Sequence, residues 1–303
     1  MPLRQHLVSV VAIFLALAVG VVLGGGPLSD VGSAALTGQP SPSGDQPGDQ
    51  AGGPVAVAGD GYADELAAAT AARAYDGGLA ERSVALVVLP GAAAGTVEQL
   101  VGQLTWAGGT VSATYTVSDV LLDPGEKSLV DTLGSQLEQQ VETSRVADDA
   151  TTYDRIGQLL GGAVATTRPE GSRTDQDTAT IVDSLGGAGL LTASAAAERR
   201  APLLLVVLGT DPGVDADPIL EALVGGLTGT AVGVVVAGDA SAAGQGGVLA
   251  RLRTQPLAAS LTTTDGVDAA AGQATAVFAL IRSLSVIGGA FGAAGADGAV
   301  PLG

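Results

Sequence analysis

Carboxylates are the residues of this chain that come closest to a chemical constellation. Asp211, Asp215 and Asp217 follow the aliphatic run Leu203 to Leu208, and Asp239 follows the run Thr230 to Ala237. Both runs read as strands, and open α/β sheets place their ligands just beyond the carboxyl ends of such strands. If the two strands are neighbours, Asp211 and Asp239 approach one another, and paired carboxylates suit a hard cation such as Mg²⁺ or Ca²⁺. Turn formation and helix capping account for the same residues, since Asp211 precedes Pro212 and Asp217 precedes Pro218. That structural reading is the stronger of the two.

Other chemistries lack their parts. The chain of 303 residues has no cysteine, and Met1 and His6 are its sole methionine and histidine. Disulfides, thiolate clusters and thiol nucleophiles are therefore excluded, and a Ser-His-Asp arrangement has no base outside the extreme N-terminus. Lys127 is the one lysine and sits near the start of an expected exposed helix, where a solvated cation is a better reading than half of a Ser-Lys dyad. The glycine-rich loop from Gly238 to Gly247 lies between a strand and a helix, the setting of a phosphate-binding turn. It has neither the GxGxxG spacing nor a Walker lysine, and it reads as an ordinary turn. Arg199-Arg200 reads as a solvated pair ahead of a strand. No catalytic residue and no cofactor site is assigned, so the sequence describes a protein that is not an enzyme.

Composition narrows the partners. The formal net charge is −18, with 13 lysines and arginines that form no dense cluster, which excludes nucleic acid as a ligand. Apolar residues make up 47% of the chain but aromatics only 3%, so the core has to be packed from Val, Leu, Ile and Ala.

Strands and helices that would position the aspartates alternate along residues 61–303. Val84 to Leu89 is a continuous aliphatic strand ended by Pro90-Gly91. Thr96 and Gln99 read as a capping box for a helix to Trp106, followed by a strand from Thr110 to Val117. Asp123 and Pro124 open a helix to about Thr143, and two more are expected over Thr152 to Leu160, stopped by Gly161-Gly162, and Asp175 to Leu185, capped by Thr174. After Leu203 to Leu208, Asp217-Pro218 caps a helix to Leu223, and Thr230 to Ala237 returns parallel. A short helix near Gly247 to Arg253, an edge strand at Ala258 to Leu261 and a helix from Ala269 to Leu284 complete the pattern, and Gly288 to Gly303 reads as irregular. The expected fold is α/β, a doubly wound and mostly parallel sheet.

Ahead of this domain, Leu7 to Gly26 carries no charge over twenty residues, enough for a helix of roughly 30 Å to cross a bilayer. Arg4 precedes it and Asp30, Asp45 and Asp49 follow, so the positive-inside bias places the N-terminus in the cytoplasm and the domain outside. An uncleaved anchor is favoured over a secretory signal, whose apolar core runs to about 15 residues at most. Ala12, Ala16, Gly20 and Gly24 recur every fourth residue, a spacing that allows close helix packing against a second copy or a membrane partner. Residues 27–60, rich in Gly, Pro, Ser, Asp and Gln, read as a flexible tether, with a short helix expected over Ala63 to Tyr75.

Both ends of the chain resemble a known family. LRQHLVSVVAIFLALAVGVVLGGGPLSD, Leu3 to Asp30, resembles the N-terminus of the actinobacterial copper transporter family typified by MctB, which also includes the SteB-like envelope proteins. TTTDGVDAAAGQATAVFALIRSLSVIGGAFGAAGADGAVPLG resembles its closing pattern: an Asp, small residues, an apolar helix, Gly-aromatic-Gly, Gly-Ala and a terminal Pro. The chain departs from the family in lacking a charged heptad-like helix after the anchor. The resemblance implies copper transport or copper homeostasis at the cell membrane or envelope. It also implies an alternative, a non-catalytic module that binds an envelope-control partner. Cu(I) prefers thiolate and thioether and Cu(II) imidazole, so no soft-ligand copper site can be built in the exported domain. A path through this chain alone fits poorly as well, because the anchor has no polar stripe and the aliphatic runs lack the alternation of a transmembrane barrel.

Overall fold

Val84 to Leu89 is apolar at every position, so a strand there needs cover on both faces. The protein's structure, a computed structural model, describes residues 54–141 and 146–301, with side chains described from residue 63 onward. In it the run forms β1 (Ser83–Val88), whose residues Val84 to Val87 are fully buried. The helix α1 (Pro54–Ala74) comes before it and α2 (Ala94–Trp106), β2 (Thr110–Val117), α3 (Asp119–Leu122) and α4 (Lys127–Gln140) after it. Next come α5 (Thr152–Val164), β3 (Ser172–Arg173), α6 (Gln176–Gly187), β4 (Leu191–Ala193), β5 (Arg199–Arg200) and β6 (Leu203–Val207). The last part holds α7 (Asp217–Thr228), β7 (Gly233–Ala237), α8 (Val248–Leu252), β8 (Thr262–Thr264), α9 (Ala270–Ser283) and β9 (Gly289–Phe291).

Seven strands make the main sheet in the order β4-β2-β1-β6-β7-β8-β9, parallel throughout except for β4, which runs antiparallel to β2. Alternate residues of each strand face opposite layers. Val84, Leu86, Leu203 and Leu205 pack with Leu100 of α2, Tyr75 just beyond α1, and Ala276 and Leu280 of α9. Ala85, Val87, Leu204 and Val206 pack with Val130 of α4, Ile156 of α5, Leu185 of α6, Leu223 of α7 and Leu249 of α8. Helices on both faces of a mostly parallel sheet are the expected α/β class.

Several local expectations are corrected. The Gly161-Gly162 pair does not stop α5, which runs on to Val164 because its glycine face packs on its neighbours. A Cβ on Gly157 would lie 2.3 Å from the Leu223 carbonyl oxygen, and one on Gly161 2.3 Å from Thr230 Oγ1. The capping box does not form, since Gln99 Oε1 accepts from Gln273 Nε2 of α9 at 2.7 Å and α2 starts without a side-chain cap. Asp175, and not Thr174, caps α6 through Thr178 N–H at 2.9 Å, while Thr174 Oγ1 donates to the carbonyls of Ala197 and Glu198. No strand forms at Ala258 to Leu261, where Pro256–Ser260 is a 3₁₀ turn, and the following threonines supply β8. β8 is interior because the glycine-rich tail, expected to be irregular, adds β9 beside it.

Arg199-Arg200 is not simply a solvated pair. These residues form β5 against β3, and Arg200 donates from Nε to Ser172 Oγ at 2.9 Å and from a terminal nitrogen to the Gly162 carbonyl at 3.2 Å. α1 begins at Pro54, within the segment read as a tether. Among the described residues no helix is long and apolar enough to cross a membrane. The anchor segment, with Ala12, Ala16, Gly20 and Gly24, lies outside them, as do His6 and most of the tether.

Gly157→Ala and Gly102→Ala bring the same gain in helix propensity, about 1 kcal/mol. A Cβ at Gly102 meets nothing within 4 Å, whereas at Gly157 it meets the backbone of α7. Urea unfolding is expected to show Gly102→Ala as stable as the parent or more so, and Gly157→Ala less stable by about 1–3 kcal/mol. Equal effects at the two positions would mean that α5 and α7 are not in backbone contact.

Candidate functional site

The chain leaves β1 in one direction, toward β2, and returns on the other side at β6, so the carboxyl ends of β1 and β6 mark the switch point where such sheets open a crevice. In this protein the two loops leaving those strands meet there. Thr210 N–H donates to the Pro90 carbonyl at 3.1 Å. Gly209 presses against the same backbone, a Cβ on it lying 2.0 Å from the Pro90 oxygen, and one on Gly91 would lie 2.1 Å from Thr210 Oγ1. Gly91 also has φ +79°, a conformation that side chains rarely adopt.

Hollows lie on either side of this ridge. One, of about 330 Å³, is lined by residues including Gly91, Thr96, Asp211, Asp239, Ser241 and Asp268. The other, of about 550 Å³, is lined by residues including Pro90, Asp119, Asp123, Thr210, Asp211 and Pro212. The strands carrying Asp211 and Asp239 are neighbours, as the metal reading required, and both side chains line the smaller hollow.

Their carboxylates are already occupied by protein groups. Arg251 donates to both oxygens of Asp211 at 2.8 and 2.9 Å, and Gly213 N–H reaches Oδ1 at 2.8 Å. These bonds, the guanidinium first, hold the Asp211 carboxyl below the ordinary carboxylate range. Asp239 Oδ1 accepts from Ser241 Oγ and Ala242 N–H, both at 2.7 Å, as a turn-forming aspartate does. Asp217 is the first residue of α7 and makes no cap there. It pairs instead with Arg251 at 2.6 and 2.8 Å. Asp215 lies apart, with Lys127, Asp131, Tyr153 and Glu221, on a third hollow of about 1030 Å³. Among the described residues no three His, Cys, Asp or Glu side chains are arranged to hold a metal ion. The Gly238–Gly247 loop spends its Gly244 and Gly247 N–H groups on the carbonyls of Ser241 and Gly244. It leads into a helix of only 5 residues.

Two arginines that sequence reasoning passed over organise this end. Arg251 is the first, bridging Asp211 and Asp217 and reaching the Gly246 carbonyl. The second is Arg253, whose Nη1 lies 3.0 Å from a carboxylate oxygen of Asp265, a residue only 1% exposed. Arg253 also donates to Thr263 Oγ1 at 2.9 Å and to the Phe291 carbonyl at 2.9 Å, and Asp265 accepts from Ala294 N–H at 3.2 Å. No sequence signal marked Asp265 as buried, since an aspartate just past a strand reads equally as an exposed turn residue.

The model of the family described as "Copper transport outer membrane protein, MctB" matches residues 1–301 of the chain. The chain belongs to the MctB family. Proteins named copper transporter MctB from Mycobacterium tuberculosis and Mycobacterium bovis are 27% identical to it over 300 residues, covering 92% of this chain and 91% of theirs. Within the closing segment that resembles the family, Asp265 follows β8, and the Gly-aromatic-Gly contains Phe291 and Gly292. Gly292 has φ +114°, and a Cβ there would lie 2.5 Å from the Asp265 carboxylate. Phe291 is buried under the Arg282 guanidinium, 5.2 Å from its ring centre. In this MctB-family chain, then, the pattern builds the seam that fastens β9 and the tail to the sheet.

Removing either side of the buried pair leaves the other charge stranded. Asp265→Ala or Arg253→Met is expected to cost about 3–5 kcal/mol in urea unfolding, with the double variant well short of the sum. Asp211 behaves differently because it is partly exposed. Its carboxyl lies below the usual 3.8 in the folded chain, so its stabilisation is complete above that value and is lost as the pH falls through the lowered one. Unfolding midpoints measured down through pH 3.8 should therefore fall less steeply for Asp211→Asn than for the parent.

Proposed function

We propose that this chain serves copper transport or copper homeostasis at the cell envelope, as a membrane-anchored protein whose α/β domain lies outside the cytoplasm. The observation that carries this reading is the family match over residues 1–301, which takes in the N-terminal segment and the domain together. The names of its mycobacterial relatives point the same way. The chemistry of the chain sets the manner in which it would act. Without cysteine, and with Met1 and His6 at the extreme N-terminus, the domain offers copper no soft ligand. Its part is therefore to hold, gate or stabilise something else, through surface contacts and without catalysis. The small-residue face of Ala12, Ala16, Gly20 and Gly24 is the contact we assign to a second copy or to a membrane partner.

Deleting the gene and measuring cell-associated copper tests this, with manganese and a neutral dye as permeability controls. Copper is expected to rise while the controls stay level, and to fall again on complementation with the full-length chain but not with the domain lacking residues 1–26. A parallel rise of every solute, or no change in copper, would favour a structural partner of the envelope over a part in copper transport.

A further inference from the structure

The ridge between the two hollows at the switch point is formed by one loop, and that loop is fastened in an unusual way. From Thr210 to Asp215 every residue is exposed, and Val214 at its tip leaves 66% of its surface in water. Inside the loop, Gly213 N–H is bonded to Asp211 and Ala216 N–H to the Gly213 carbonyl, so it holds its own shape. Its attachment to the rest of the domain is sparse. Beyond the Thr210 to Pro90 bond, the side-chain ties among the described residues converge on Arg251, which grips Asp211 near the start of the loop and Asp217 at its end. Arg251 lies on α8, beyond β7, and is itself positioned by the Gly246 carbonyl.

We infer that Gly209–Asp217 is a lid over the switch-point crevice and that Arg251 is its latch. Thr210 and Asp211 line both hollows, as does Gly91 beneath them. Swinging the loop outward about Gly209 removes the partition, and the two hollows become one crevice across the carboxyl ends of β1 and β6. Gly209 suits a hinge, because it has no side chain to clear the Pro90 backbone against which it rests. A guanidinium suits a latch. Its fork engages two carboxylates at once through four N–H bonds, so a single side chain ties Asp211 at the start of the loop to Asp217 at the fixed N-terminus of α7, and its release frees the exposed stretch from Thr210 to Asp215. The exposed Val214 gives the lid an apolar tip with no cover in the closed form.

The absence of cysteine makes a direct test available in the full-length protein. Val214→Cys carrying a nitroxide reports on the lid, and Val286→Cys, beyond the far end of α9, reports on the opposite end of the sheet. Arg251→Met is expected to raise nitroxide mobility at position 214 and to speed amide exchange across residues 210–216 by at least tenfold. The label at 286 and the amides of β7 should not change. Arg251→Lys, which cannot fork to both carboxylates, should fall between, and Asp211→Asn provides a milder release should the methionine variant fold poorly. Unchanged mobility at 214 in every variant, or equal loosening at 214 and 286, would overturn the latch.

Discussion

Everything in this domain depends on the pairing of β1 with β6. Five residue pairs, from Val84 with Leu203 to Val88 with Val207, join two strands that are separated in sequence by four strands, β2 to β5, and five helices. Closing so long a loop costs conformational entropy that local contacts cannot return. The return comes from two strands that are buried and apolar at all five paired positions and covered by a helical layer on both sides. Once β1 and β6 are adjacent, β2 is forced outward on one side and β7, β8 and β9 on the other. The switch point then falls at Pro90 and Gly209, and both hollows and the loop dividing them follow from that one adjacency.

A core with so few aromatics is held together by unusual means. Backbones approach closely where glycines allow it, as Gly157 does with α7. The loops are then tied by guanidinium groups, with no disulfide to do so. Arg82 donates to the Pro169 carbonyl, Arg199 to that of Glu170, Arg200 to that of Gly162 and Arg282 to that of Gly288. Arg251 and Arg253 add carboxylates to the same role. A planar fork with several donors can satisfy such carbonyls in a way that a lysine ammonium does less specifically, and the chain has a single lysine, Lys127. In a protein of net charge −18, much of the scarce positive charge is spent on architecture.

The parts of this fold that were legible in the sequence are those decided by continuous local pattern. β1, β2, β6, β7, α8 and α9 are close to where aliphatic runs and helix signals put them, because a strand buried on both faces leaves an unbroken apolar run. The misplaced parts turn on partners distant in sequence. Gly161-Gly162 has the look of a helix stop until Thr230 is packed against it, and Gln99 looks like a capping residue until α9 offers Gln273. β9 has no strand signature at all, since Gly289 and Ala290 become a strand through their pairing with Thr262 and Thr263. At the site, the neighbourhood of Asp211 and Asp239 was readable from strand order, while the commitment of Asp211 and Asp217 to Arg251 was not. Nothing in RLR, residues 251–253, distinguishes an arginine that bridges two aspartates from one in solvent.

This bears on how much function the family resemblance can carry. Three residues of the closing segment have a packing role in the seam: Asp265 satisfies Arg253 and Ala294, Gly292 makes room for the Asp265 carboxylate, and Phe291 lies under Arg282. A residue held by packing in this way is kept by the fold whatever the protein does, because an unpaired buried carboxylate is costly. The C-terminal likeness therefore speaks to architecture. The family match itself runs over residues 1–301 and so takes in Leu3 to Asp30 together with the domain. Within the described domain, the carboxylates at the switch point are bonded to protein groups, and among the described residues no three His, Cys, Asp or Glu side chains are arranged to hold a metal ion.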